Sequence, residues 1–88
     1  MKNKKMSKEQ QTIQWVISKG ATPTEIKIYT LAVRAYKKNL NKPVLNGDIA
    51  KLHGTHRTNI RVHLKNMTDK GLIKRHLHRY YIPVMHNI

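Results

Sequence analysis

Apolar positions recur at intervals of three and four along most of the chain and change to alternation only after Gly71. That pattern predicts a mainly α protein with a small β-hairpin. Ile13, Val16 and Ile17 mark the first helix, with Ser7 and Gln10 at capping-box spacing before them and Ser18-Lys19-Gly20 as the stop. The stretch "TPTE" repeats this logic more strongly: Thr22 is the N-cap, Pro23 the first helical residue and Glu25 the box partner. A second helix should run from there to about Lys38. Its stripe of Ile26, Tyr29, Val33 and Tyr36 is widened by Ile28, Leu31, Ala32 and Ala35, so it is the expected central packing helix. "KKNLNKP" ends it, because Lys suits a helix C-terminus, Asn tolerates the left-handed conformation and Pro43 disfavours helix at Lys42.

Asn46 is the expected cap of a third, short helix that stops near His53-Gly54. A fourth should begin at Thr55 or His56 and end near Lys70, with Gly71 as the left-handed cap. With Ile60 as origin and about 100° per residue, Leu64 falls near +40°, Met67 near −20° and His63 near −60°, which defines an inward face. Thr58, Val62 and Lys65 point the other way, flanked by Asn59, Arg61 and Asn66, with His56 and Arg57 at the N-terminal end. In "LIKRHLHRYYIPV", Tyr80, Ile82 and Val84 alternate with Tyr81 and Pro83, which predicts a hairpin with its turn within Arg75 to His78.

Composition narrows what such a chain can do. With 88 residues and 39% hydrophobic content, residues 7–88 are expected to form a single domain behind a basic, disordered segment over residues 1–6. The formal net charge is +14, opposed only by Glu9, Glu25, Asp48 and Asp69. So large an imbalance favours a phosphate-rich partner. A membrane is the weaker candidate, since neither a Lys-rich helix with an aromatic face nor a lipid-anchor motif occurs. "MKNKKM" resembles the start of a signal peptide, but "SKEQQTIQWVISKG" interrupts the apolar run that would have to follow, so a cytoplasmic location is expected. Absence of Cys removes disulfides, thiolate zinc sites and thiol catalysis. The six His lack carboxylates at familiar ligand spacing, the acids are dispersed and no Gly-rich phosphate loop occurs. The reading is therefore a protein that is not an enzyme, with no metal, cofactor or small-molecule effector.

The order of a short helix, a Gly-containing turn, a helix with a polar outer face and a basic hairpin resembles a winged helix-turn-helix. Within it, "IAKLHGTHRTNIRVHLKNMTDKGLIKR" is similar to bacterial winged-helix regulators, including the MarR-like group and the DNA-binding domain of the LexA repressor. Ile60, His63, Leu64, Met67, Gly71 and Ile73 occupy the matching positions, whereas His53 and Thr55 stand where apolar residues are usual and His56 where a Ser or Thr cap is common. The resemblance implies a winged helix with an additional N-terminal helix, the helix-turn-helix over residues 46–70 and the wing over residues 72–84. Nothing in the chain corresponds to a self-cleaving Ser/Lys half.

The candidate nucleic-acid-binding residues follow. On the fourth helix they are His56, Arg57, Thr58, Asn59, Arg61, Val62 and Lys65; on the wing they are Lys74, Arg75, His76, His78 and Arg79. Arg57 and Arg61 offer bidentate donors to guanine or phosphate, Thr58 and Asn59 could touch base edges, and Val62 could pack on a thymine methyl. Tyr80 and Tyr81 read as hairpin packing before base stacking. The favoured function is a cytoplasmic regulator of transcription that binds double-stranded DNA with sequence preference. Two alternatives stand beside it: a low-specificity or single-strand-binding accessory in mobile-element replication or transfer, and a winged-helix protein-interaction module. Trp15 either completes the core or marks a homodimer surface on the first helix; the sequence leaves both open.

Overall fold

The structure, a computed structural model, describes residues 8–84, apart from the side chains of Lys8, Glu9 and Arg57. The elements are α1 (Lys8–Ser18), α2 (Pro23–Lys38), β1 (Val44–Leu45), α3 (Asn46–His53), α4 (Arg57–Asp69), β2 (Ile73–Leu77) and β3 (Tyr80–Pro83). The chain is thus mainly helical with one small antiparallel sheet, ordered β1-β3-β2. The expected Ser7 cap and the disorder expected of residues 1–6 lie outside the described residues.

Local chemistry explains the start of α2. Thr22 holds an extended backbone, its Oγ1 accepts from the Glu25 N–H at 3.2 Å, and Glu25 Oε1 accepts from the Thr22 N–H at 2.9 Å. The same carboxylate accepts from Lys70 Nζ, which ties the N-terminus of α2 to the C-terminal end of α4. Burial pushes the Glu25 carboxyl up, but hydrogen bonds from Lys70 and the Thr22 backbone, with the positive fields of Lys70 and His63, outweigh it and hold the group below its ordinary value.

Ile28, Tyr29 and Ala32 form the buried centre of α2, with Ile26, Val33, Ala35 and Tyr36 packed around them. The Tyr29 hydroxyl donates to the Val84 carbonyl at 2.7 Å, and burial pushes its pKa up to about 12. From α4, the expected Ile60, Leu64 and Met67 complete the core with Ile49, Leu72, Ile73 and Tyr81. Among the described side chains of α1, only Val16 is fully buried. Ile17, expected on the inner stripe, is 45% exposed, and Trp15 packs half-buried against the core with the Lys19 ammonium 5.7 Å from its ring centroid.

Two expectations need correction. Asn46 does not cap α3: Leu45 holds the N-cap position, while Asn46 lies inside the first turn, buried, with its N–H donating to the Arg79 carbonyl at 2.8 Å. The cause is the unexpected strand β1, whose Val44 and Leu45 pair with Tyr81 and Tyr80 and run directly into α3. His56 does cap α4 by position, but its side chain makes no capping bond. The hairpin turn falls at His78 and Arg79, at the far edge of the expected interval, because Arg75 pairs with Tyr81 and Leu77 with Tyr80, leaving a bulge between them. Neither turn residue adopts positive φ. The bond from Asn46 to Arg79 supplies the fixation that a Gly or Asn turn would otherwise give.

Candidate nucleic-acid interface

Helix α4 spans 13 residues, about 20 Å at 1.5 Å per residue. Ile60, Leu64 and Met67 anchor one side against α3 and β2, so Thr58, Arg61, Val62, Lys65 and Asn66 are left exposed on the other. Val62 is 58% exposed, large for an aliphatic side chain that has no packing partner to gain. Gly54 sets the approach of α4 to α3: at φ +78° it ends α3 left-handed, its N–H donating to Ala50, and Thr55 N–H donates to the same carbonyl. Asn59 Nδ2 reaches back to Thr55 Oγ1 at 3.3 Å, so this amide buttresses the turn in addition to facing solvent.

The hairpin rises beside the outer face of α4 because Ile73 and Tyr81 enter the core under it. Arg75 pairs with Tyr81 in the sheet and shares its side, which brings the guanidinium toward α4. Two adjoining clefts result. One, of about 340 Å³, is lined by Asn46, Thr58, Arg61, Arg75, His78 and Arg79; the other, of about 540 Å³, continues along Val62, Lys65, Thr68, Asp69 and Tyr81 and shares Thr58, Arg61 and Arg75. Among the described residues, three guanidinium groups therefore converge on the first cleft and no carboxylate lines it.

Of the residues expected from sequence, Thr58, Arg61, Arg75, His78 and Arg79 meet at the first cleft, and Val62 and Lys65 line the second. Lys74 and His76 are exposed on the hairpin but line neither cleft, and His56 and Asn59 stand at the N-terminal end of α4, also outside both linings. The backbone of Arg57 opens α4; its side chain lies outside the described residues. Asn46 was missed as a lining residue. Its Oδ1 is buried without a hydrogen-bond partner, and no local signal separates that fate from the helix cap its position suggests.

Chemically, the arrangement suits anionic oxygen: forked planar donors come from both α4 and the hairpin, and Thr58 and His78 also line the cleft. Among the described residues no three His, Asp or Glu side chains group closely enough to hold a metal ion, and no helix is long and apolar enough to cross a membrane. Comparison with protein-family models, with characterised proteins and with solved structures yields no match for this chain.

Proposed function

We propose that the chain is a winged helix-turn-helix protein that binds double-stranded DNA with sequence preference, entering the major groove with α4 and gripping the flanking backbone with the β2–β3 hairpin. The observation that carries this reading is the convergence of Arg61 on α4 with Arg75 and Arg79 on the hairpin around one cleft that no described carboxylate lines. The element order from α2 through β1, α3 and α4 to β2 and β3, with the strand at the helix pair's entry joined to the hairpin, supports the winged-helix assignment. A major groove about 12 Å wide accepts a helix. On that helix Arg61 is the reader for guanine O6 and N7, Thr58 and Val62 contact neighbouring base edges and methyls, and Lys65 meets phosphate. The regulator role and a cytoplasmic location belong to the same proposal.

The composition of the first cleft favours a second reading, in which the chain holds nucleic acid with little base readout. Guanidinium groups on both walls suit phosphates of any sequence. Fluorescence anisotropy with matched double- and single-stranded oligonucleotides, each competed with random duplex at about 150 mM salt, separates the two. Duplex binding that resists random competitor supports the sequence-preferring regulator. Equal or tighter single-strand binding replaces it with the low-specificity accessory, and binding to neither refutes both.

A further inference from the structure

Adjacent tyrosines on β3 face opposite sides of the sheet: Tyr81 lines the cleft against α4, whereas Tyr80 lines a separate groove between α2, β1 and α3. This groove encloses about 850 Å³. Leu31, Ala35, Leu45, Leu52 and Tyr80 provide its apolar surface, with Leu52 56% exposed and Tyr80 43% exposed. Arg34, Lys38 and Lys51 line it too, and among the described residues Asp48 is the carboxylate that lines it with them. Apolar side chains this large, grouped in a concavity and left to water, mark a contact surface more than a folding requirement.

From this combination we infer that the groove docks an acidic amphipathic helix of a partner protein, its apolar stripe on Leu52 and Tyr80 and its carboxylates on Arg34, Lys38 and Lys51. Charge selects among the occupants. A second copy of the chain would bring another +14 to a surface already rich in cations. The chain's own segments outside the described residues offer no complement either, since residues 1–7 hold three lysines and no acid, and residues 85–88 hold no acid. Nucleic acid would lay phosphates over Leu31, Leu45 and Leu52, which give them no donor, while the arginine cleft lies open on the other side of the sheet. An acidic amphipathic helix satisfies both parts of the lining: anchors spaced at i, i+3/i+4 and i+7 fill the apolar floor, and flanking Asp or Glu meet the cations. The groove shares no lining residue with either cleft beside α4, so the inference stands independently of the nucleic-acid reading.

The test is selection of displayed random peptides of about sixteen residues, long enough for roughly four helical turns, on the full chain, with counter-selection on the Leu52→Glu variant. Enriched peptides are expected to carry apolar residues at helical spacing flanked by Asp and Glu. A labelled peptide of that kind should lose affinity by about tenfold or more on Leu52→Glu and again on Lys51→Glu. Both positions are exposed, and thermal melting of each variant should match the parent. Failure to enrich any sequence that depends on Leu52, or enrichment of sequences without acids, overturns the inference. So does tight binding of oligo-thymidylate that disappears with Tyr80→Ala, which would assign the groove to single-stranded nucleic acid.

Discussion

Replacing Arg61, Arg75 and Arg79 together by Ala removes the three described guanidinium groups that line the 340 Å³ cleft while leaving the core untouched, because all three side chains are exposed. If Arg75 and Arg79 each contact one duplex phosphate while Arg61 reads a base, the dependence of log affinity on log salt should flatten by about 0.9 per phosphate contact, or about 1.8 for the set. Between 50 and 200 mM salt, a fourfold change, that slope corresponds to about a 12-fold smaller loss of affinity than the parent suffers. The control removes the same charge elsewhere. Arg34, Lys38 and Lys51, exposed on the groove at the opposite side of the sheet, are changed to Ala in a second triple variant. Anisotropy titrations of one labelled duplex against both variants across the salt series give the slopes directly. The reasoning requires a slope change of about 1.5 or more for the cleft variant and less than about one for the control. Equal changes in both would mean that binding follows net charge, and the cleft would lose its assigned role.

Two further predictions concern stability. Glu25→Ala removes a capping-box acceptor and the partner of Lys70, and should cost about 2–3 kcal/mol in denaturant unfolding, whereas Glu25→Gln keeps the N-terminal acceptor and should cost about 1 kcal/mol. Because the folded carboxyl sits below its unfolded value of 4.5, its contribution is complete above that pH and is lost as pH falls through the folded value; Glu25→Gln should flatten the acid limb of a stability-pH curve. Leu40 is 80% exposed at φ +56°, so Leu40→Gly relieves left-handed strain without losing packing and should raise the melting temperature by a few degrees, for a gain of about 1 kcal/mol or less. A lower melting temperature would refute that reading of the turn.

How legible each part was in the sequence depends on how far its determinants lie apart in the chain. The Thr22 box and the left-handed stop at Gly54 depend on residues within a single turn, and both formed where the sequence predicts. Ile60, Leu64 and Met67 likewise fixed which side of α4 turns inward, and with it the exposure of Thr58, Arg61, Val62 and Lys65. Strand β1 has two residues, too few to show alternation, and exists because β3 offers it an edge from far along the chain. Its effects then spread. It moved Asn46 from cap to buried first-turn residue, gave the Arg79 carbonyl a donor, and so pinned the hairpin turn where no Gly or Asn marks it. Convergence of Arg75 and Arg79 with Arg61 was illegible for the same reason: strand register decides which hairpin side chains face α4, and a bulge shifts that register.

The distribution of scarce acid in this chain bears on why the cleft stays positive. Among the described carboxylates, Glu25 is consumed by the fold: it satisfies an orphan N–H at the start of α2 and draws in Lys70 from the end of α4, a placement that also suits both helix dipoles. Asp48 sits in the first turn of α3, where the helix field favours an anion. Asp69 ends α4 and borders the second cleft only. Each acid thus occupies a position that stabilises a helix end or lies away from the first cleft, and none faces Arg61, Arg75 or Arg79 there. Within the first cleft no described carboxylate offsets the repulsion among these guanidinium groups, and an anion that enters between them relieves it, so the charge imbalance favours the bound state over the free one. A carboxylate introduced at the cleft, as in Thr58→Asp, should therefore weaken nucleic-acid binding while leaving folding stability unchanged or slightly higher, and the opposite sign for either quantity would contradict this account of the surface.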